Sequence, residues 1–154
     1  MSPRVLIVSH PRSDSGARLR DAVLAGVADG GCESTALHAP DAGPDDVEAA
    51  DGVVIVTPAN FGSVSGLVKD FLERIYPWFD EVPDMRPGMP YVLVARGASD
   101  ASGAVRDVTR ILHGLRWKEV APPVVVEGPV EEQHLAAARE AGAVLAAGLD
   151  AGMW

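Results

Sequence analysis

Four short apolar runs, Val5-Leu6-Ile7-Val8, Val53-Val54-Ile55-Val56, Tyr91-Val92-Leu93-Val94 and Val124-Val125-Val126, set the strongest constraint on how this chain folds. Each is continuous rather than alternating and is bounded by turn residues, which is how strands buried on both faces look. Such strands need one layer of helices above them and another below. A fifth and weaker run, Glu33 to His38, has the polar content of an edge strand.

Helical patterns lie between the runs. Leu19, Val23 and Val27 recur at i+4 after Gly16; Asp45 to Ala50 follows Pro44 with two acidic residues at its start; Leu67, Phe71 and Ile75 follow Ser65, a candidate N-cap. Val105, Val108, Leu112 and Leu115 mark a fourth helix, and Leu135, Ala138, Leu145 and Leu149 a fifth. Strand and helix therefore alternate five times, which calls for an α/β three-layer sandwich around a parallel sheet. A chain of 154 residues is expected to form one domain over 1–154, and five strands in that length favour the order 2-1-3-4-5 over the six-stranded dinucleotide-binding order. The polar second strand then falls at an edge. Ligands of such sheets bind beyond the carboxyl ends of the strands, near the switch in strand order, so function is to be sought after Val8, Val56 and Val94.

Charge and cysteine content narrow the partners. The net charge of −9 is uneven: residues 21–51 carry eight acidic side chains and no Lys or Arg, whereas residues 1–20 hold Arg4, Arg12, Arg18 and Arg20 against Asp14. A mainly acidic surface argues against nucleic acid as a partner, because that affinity comes from Lys and Arg neutralising phosphates. No stretch approaches the ~18 consecutive apolar residues of a membrane span, and the run at Val5 to Val8 is too short for a signal-peptide core. The single cysteine, Cys32, allows no internal disulfide and reads as a small, partly buried side chain. A cytoplasmic location is the expectation.

Three loops sit where function is expected. The first, Ser9 to Arg18, offers His10, Arg12, Ser13, Ser15 and Gly16 ahead of a helix, either as a phosphate cradle or as an ordinary capped loop with Ser13 or Ser15 as N-cap; Asp14 is expected to face solvent. The second runs Thr57-Pro58-Ala59-Asn60-Phe61-Gly62-Ser63-Val64-Ser65-Gly66, where Pro58 stiffens the strand exit, Gly62 permits unusual backbone angles and Phe61 offers an aromatic surface. The third, Arg96 to Gly103, includes Gly97 and Ala98, small enough for a flat ligand to approach the backbone; it also reads as a flexible loop with Asp100 or Ser102 as the next helix cap. Trp78, Phe79, Met85 and Met89 border a proline-rich connection, as packing over the core or as a contact with a second subunit.

The segment from Thr57 to Arg74 resembles the third strand and third helix of the flavodoxin-like superfamily, in particular the NAD(P)H-dependent FMN and quinone reductases, which carry the pattern T-P-x-x-x-G-x-x-(S/P)-G-x-(L/M)-K-x-(F/L)-(L/I)-D-R. The resemblance implies non-covalent FMN. By it, Ser13, Ser15 and Gly16 hold the phosphate with His10 and Arg12 nearby. Thr57, Pro58, Ala59, Asn60, Phe61 and Gly62 run along the isoalloxazine, and Arg96, Gly97, Ala98 and Gly103 flank the ring's other side. Prearranged backbone dipoles tune a flavin without reacting with it. Ala17-Arg18 follow Gly16 where relatives have Asn-Thr, the first loop is about two residues longer than theirs, and Phe61 is the one aromatic in the three loops.

Other chemistries are excluded by placement. Thr57-Pro58 stands where a phosphorylated receiver domain needs aspartate, and Cys32 is far from the position a low-molecular-weight phosphatase requires. No G-x-x-x-x-G-K-[ST] occurs, nor G-x-G-x-x-G after a strand; Val64 occupies the serine position of a hydrolase elbow, and His10, Cys32, His38, His113 and His134 form no metal spacing. The expected activity is reduction of a flavin, a quinone or a similar acceptor by NAD(P)H, with no side chain assigned as acid or base. An electron-carrier protein that docks on redox partners is the alternative, and a flavin-free scaffold a third. A homodimer is a candidate assembly.

Overall fold

The computed structural model describes the backbone of residues 2–81 and 87–154, and the side chains of all of these but 77–81. The apolar runs form β1 (Arg4–Ser9), β3 (Gly52–Asn60), β5 (Pro90–Gly97) and β7 (Val124–Glu127), and the polar run forms β2 (Glu33–His38). All pair in parallel in the spatial order β2-β1-β3-β5-β7, the order read from the sequence. Two strands are additional. β4 (Ser63–Val64) folds back antiparallel on the end of β3, and β6 (Lys118–Glu119) pairs with the start of β5 below β7. The last strand is therefore split, because Pro122 and Pro123 between its halves have no N–H to give the ladder.

The helices are α1 (Asp14–Asp29), α2 (Pro44–Glu48), α3 (Gly66–Glu81), α4 (Ser102–Gly114) and α5 (Glu132–Asp150), with a short 3-10 turn at Ala39–Asp41. Alternate residues of the central strands feed two cores. Leu6, Val8, Val53, Ile55 and Leu93 pack on one face with Phe71, Leu72 and Ile75 of α3 and Val108 and Leu112 of α4. Val5, Ile7, Val54, Val92 and Val94 pack on the other face with Leu19, Val23 and Val27 of α1 and Leu145 of α5. β2 lies at an edge and is largely exposed. β7 lies at the other edge, so Val125 is 43% exposed and not covered on both faces as its apolar run implied.

Helix starts follow local chemistry, with one correction. The Ser13 side chain caps α1 through the Gly16 N–H at 3.0 Å, and Ser65 caps α3 through the Val68 N–H at 3.2 Å. At α4 the cap position is Ala101, neither Asp100 nor Ser102. The Asp100 carboxylate instead accepts from the Ser102 N–H and hydroxyl, while Glu127 reaches across to accept from the Ala101 N–H. Met89 is buried in the core, whereas Met85 and the side chains of Trp78 and Phe79 lie outside the described residues. Cys32 is partly buried and gives its thiol hydrogen to the Ala146 carbonyl.

α1 and α5 approach through small residues, and a methyl group at Gly26 would overlap the Arg139 carbonyl. Gly26→Ala is thus expected to cost about 1–3 kcal/mol of stability by forcing the two helices apart. Gly114→Ala, at a helix end with open space around it, is the control and leaves stability unchanged or slightly raised. Urea unfolding of the two variants checks the contrast.

Candidate functional site

β1, β3 and β5 are neighbours, and their register sets Ser9 beside Val56 and Pro58 beside Arg96. The loops that follow them therefore open on one edge of the sheet. The chain leaves β1 for β2 on one side and returns to β3 on the other, which makes the β1–β3 boundary the switch point.

The first loop turns into α1. His10 Nδ1 accepts from the Arg12 N–H at 3.3 Å, Ser13 Oγ holds the Gly16 N–H, and the Ser13 carbonyl takes the Ala17 N–H. The N–H groups of Asp14 and Ser15 have no acceptor among the described residues. They are the free donors of a helix N-terminus, where the macrodipole favours an anion. Asp14 is exposed, as expected, and so is Arg12. Just below, at the end of β1, the Ser9 hydroxyl is buried with no partner among the described residues. A buried hydroxyl without a partner is costly and marks a place where an outside group can complete the bonding.

The second loop is more ordered than its sequence implied. Thr57 to Asn60 continue β3, and β4 returns along it, so the expected strand-to-helix turn is a β-hairpin. Its two-residue loop, Phe61-Gly62, has φ of +52° and +78°, the signs of a type I′ turn. A phenylalanine is rarely found there, and its side chain is fully exposed. The base of the hairpin is held by Thr57, which is buried; its hydroxyl donates to the Pro58 carbonyl at 2.8 Å and accepts from the Ser65 N–H at 3.3 Å. Pro58 and Ala59 are half-buried, and Asn60, Phe61 and Gly62 line the exposed rim.

The third loop and α4 clamp that hairpin. A methyl group at Gly103 would overlap the Gly62 carbonyl, so the two backbones touch with nothing between them. Asp107, one turn along α4, accepts from the Val64 N–H at 3.1 Å. Sequence reading missed this residue, since a bond across 43 positions leaves no local signal. Gly97 is buried against the Asp100 carbonyl and accepts from the Gly128 N–H, Arg96 donates from Nε to the Gly128 carbonyl, and Ala98 is exposed. The structure thus brings Asn60, Phe61, Gly62 and Gly103 together, with Ser9, Ser13, Ser15 and Gly16 along the same sheet edge. The Thr57 hydroxyl and the Arg96 guanidinium are engaged in holding backbone.

The residues fit an FMN-like group: free amides and an unpartnered hydroxyl at one end, and open glycine backbone beside an exposed aromatic at the other. Among the described residues no cluster of three or more His, Cys, Asp or Glu is arranged to hold a metal ion, and no helix is long and apolar enough to cross a membrane.

Two outcomes follow from this geometry. Phe61→Asn keeps the left-handed backbone with a residue that tolerates it, so stability is expected to hold or rise by up to about 1 kcal/mol, read by thermal unfolding. Burial, then Arg12 and His38, hold the His10 imidazole below its ordinary 6.5. The unfolded chain therefore takes up this proton first as pH falls, and the contribution of His10 to stability, complete above pH 6.5, is lost on acidification through its lower folded value. An NMR titration that gives His10 a pKa at or above 6.5 would contradict this.

Comparison with solved structures gives close likeness at low identity. A flavodoxin from the domain Archaea superposes with a TM-score of 0.81 at 10% identity, covering 93% of this chain and 96% of that one. A WrbA-like flavodoxin from Agrobacterium tumefaciens gives 0.77 at 20% identity, covering 94% and 96%. The rubredoxin oxygen:oxidoreductase of Desulfovibrio gigas gives 0.81 at 14% identity; 99% of this chain matches 38% of that larger one. At these identities the likeness is one of fold, and the fold is flavodoxin-like. No curated protein sequence matches the chain. The family model described as NADPH-dependent FMN reductase matches residues 19–129, which include the second and third loops and most of the chain, and the chain belongs to that family.

Proposed function

We propose that this protein is an FMN-binding oxidoreductase that takes reducing equivalents from NADH or NADPH and passes them to a flavin, a quinone or a similar small acceptor. The observation that carries the reading is the row of groups along one sheet edge, from the Asp14 and Ser15 amides and the buried Ser9 hydroxyl, which have no partner among the described residues, to the exposed Phe61-Gly62 turn. Bound FMN would supply a ring that accepts hydride and releases electrons.

The chain's own residues supply position. Ser13, Ser15 and Gly16 hold the phosphate at the start of α1, with His10 and Arg12 beside it. The backbone of Thr57, Pro58, Ala59, Asn60, Phe61 and Gly62 lies along the ring, and Arg96, Gly97, Ala98 and Gly103 set the distance to its other side. Phe61 covers an apolar part of the ring and sheds water from it. No side chain needs to move a proton for hydride transfer, so none is assigned as catalytic. The second reading, an electron carrier that docks on redox partners, is favoured by the full exposure of Phe61 at the same rim. Nucleic acid is not among the proposed partners of either reading.

Titrating the protein with FMN, followed by flavin fluorescence, tests both readings, and failure to bind at tens of micromolar rejects both. Gly62→Val, which puts a β-branched residue at a positive φ, is expected to weaken FMN about tenfold or more, whereas Cys32→Ser leaves affinity unchanged. Equal effects would contradict the site. Rapid oxidation of NADPH by the FMN-loaded protein selects the enzyme, and slow oxidation selects the carrier.

A further inference from the structure

A groove outside these loops runs between α4 and the edge strand β7. It holds about 710 Å³ and exists because α4 does not reach over the last strand, which leaves Val125 uncovered opposite Val105 and Thr109. Arg106, Arg110 and His113 line its helical side, spaced four and three residues apart so that they form one stripe. The groove has a charged gradient. At the loop end, Glu127 is held by the Ala101 N–H, and the Asp100 carboxyl is held below its ordinary value by its Ser102 hydrogen bonds, with the Arg106 charge adding a smaller share. Farther along, Arg110 and His113 form no ion pair among the described residues, in a protein whose net charge is −9.

The groove also begins at the candidate site. A methyl group built on Gly103 would lie 3.6 Å from the Arg106 guanidinium while overlapping the Gly62 carbonyl. From Gly103 to Arg110 is seven residues of helix, about 10 Å of rise. A ligand with one end at the Gly62–Gly103 contact can therefore lay the other against an apolar wall beside Arg110, which has no ion pair among the described residues.

We propose that this groove takes the 2′-phosphorylated adenosine end of NADPH, and that Arg110 is the residue that distinguishes NADPH from NADH. The adenine lies on Val105 and Val125, and the 2′-phosphate, with a charge of about −1.5 to −2, meets the Arg110 fork with His113 adjacent. The inference rests on the reading that a nicotinamide dinucleotide reacts at the flavin loops.

The test is calorimetric titration of the FMN-saturated protein, and in parallel of the FMN-free protein, with 2′,5′-ADP, 5′-AMP and inorganic phosphate, together with amide NMR mapping. The 2′,5′-ADP is expected to bind about tenfold tighter than 5′-AMP and to shift the amides of Thr109 to His113 and Val125. Arg110→Gln removes that preference while leaving 5′-AMP and FMN binding unchanged, and raises KM for NADPH but not for NADH. The proposal is overturned if the preference is absent or survives Arg110→Gln, if the shifts map to the first loop, or if inorganic phosphate alone reproduces them. Because the ADP titrations are also run without FMN, they separate the two readings: loss of FMN binding defeats the proposed function, and loss of ADP preference defeats this groove alone.

Discussion

The backbone of Gly62 meets the backbone of Gly103 with no side chain between them, and the carboxyl edge of the sheet is organised around that contact. It lets the hairpin at the end of β3 lie directly on the first turn of α4. Asp107 then bonds the returning strand, and Thr57 braces the hairpin base from beneath. A side chain at Gly103 would lift the hairpin away and widen the rim, whereas Gly62 is held to glycine by its positive φ. The proposed ring site depends on that spacing, as does the mouth of the α4 groove.

The stable part of the molecule and the candidate site use different physics. Two apolar cores on either side of the central strands hold the helices, and small residues let α1 and α5 pack backbone to backbone. The site has little apolar burial of its own. It is made of backbone groups positioned by that scaffold, of the Ser9 hydroxyl and two amides without partners among the described residues, and of one phenylalanine in a conformation its side chain disfavours. Unspent hydrogen-bonding capacity and local strain of this kind gather where a protein binds something else.

Much of the architecture was legible in the sequence because it rests on pattern. Three of the four continuous apolar runs gave strands buried on both faces, while the fourth, Val124 to Val126, falls at an edge; the polar run from Glu33 to His38 gave the other edge, and the alternation with helices gave the strand order. Ser13 and Ser65 could be read as caps because capping is local. The hairpin could not be read, since Asn-Gly is the usual signal for its turn and here Phe61 takes the first central position. Nor could Asp107, whose partner is 43 residues away, or Glu127, whose partner is Ala101 on the far side of a strand crossover. Pro122-Pro123 marks the split of the last strand, because neither residue has an N–H for the ladder.

The proposed site requires one ligand to span the first loop, the hairpin and the start of α4. Amide NMR of the protein before and after addition of FMN measures this directly. Simultaneous shifts are expected at Asp14 and Ser15, at Asn60 to Gly62 and at Gly97 to Gly103, all saturating at the same FMN concentration. Shifts confined to one of these segments, or centred elsewhere on the sheet, would contradict it.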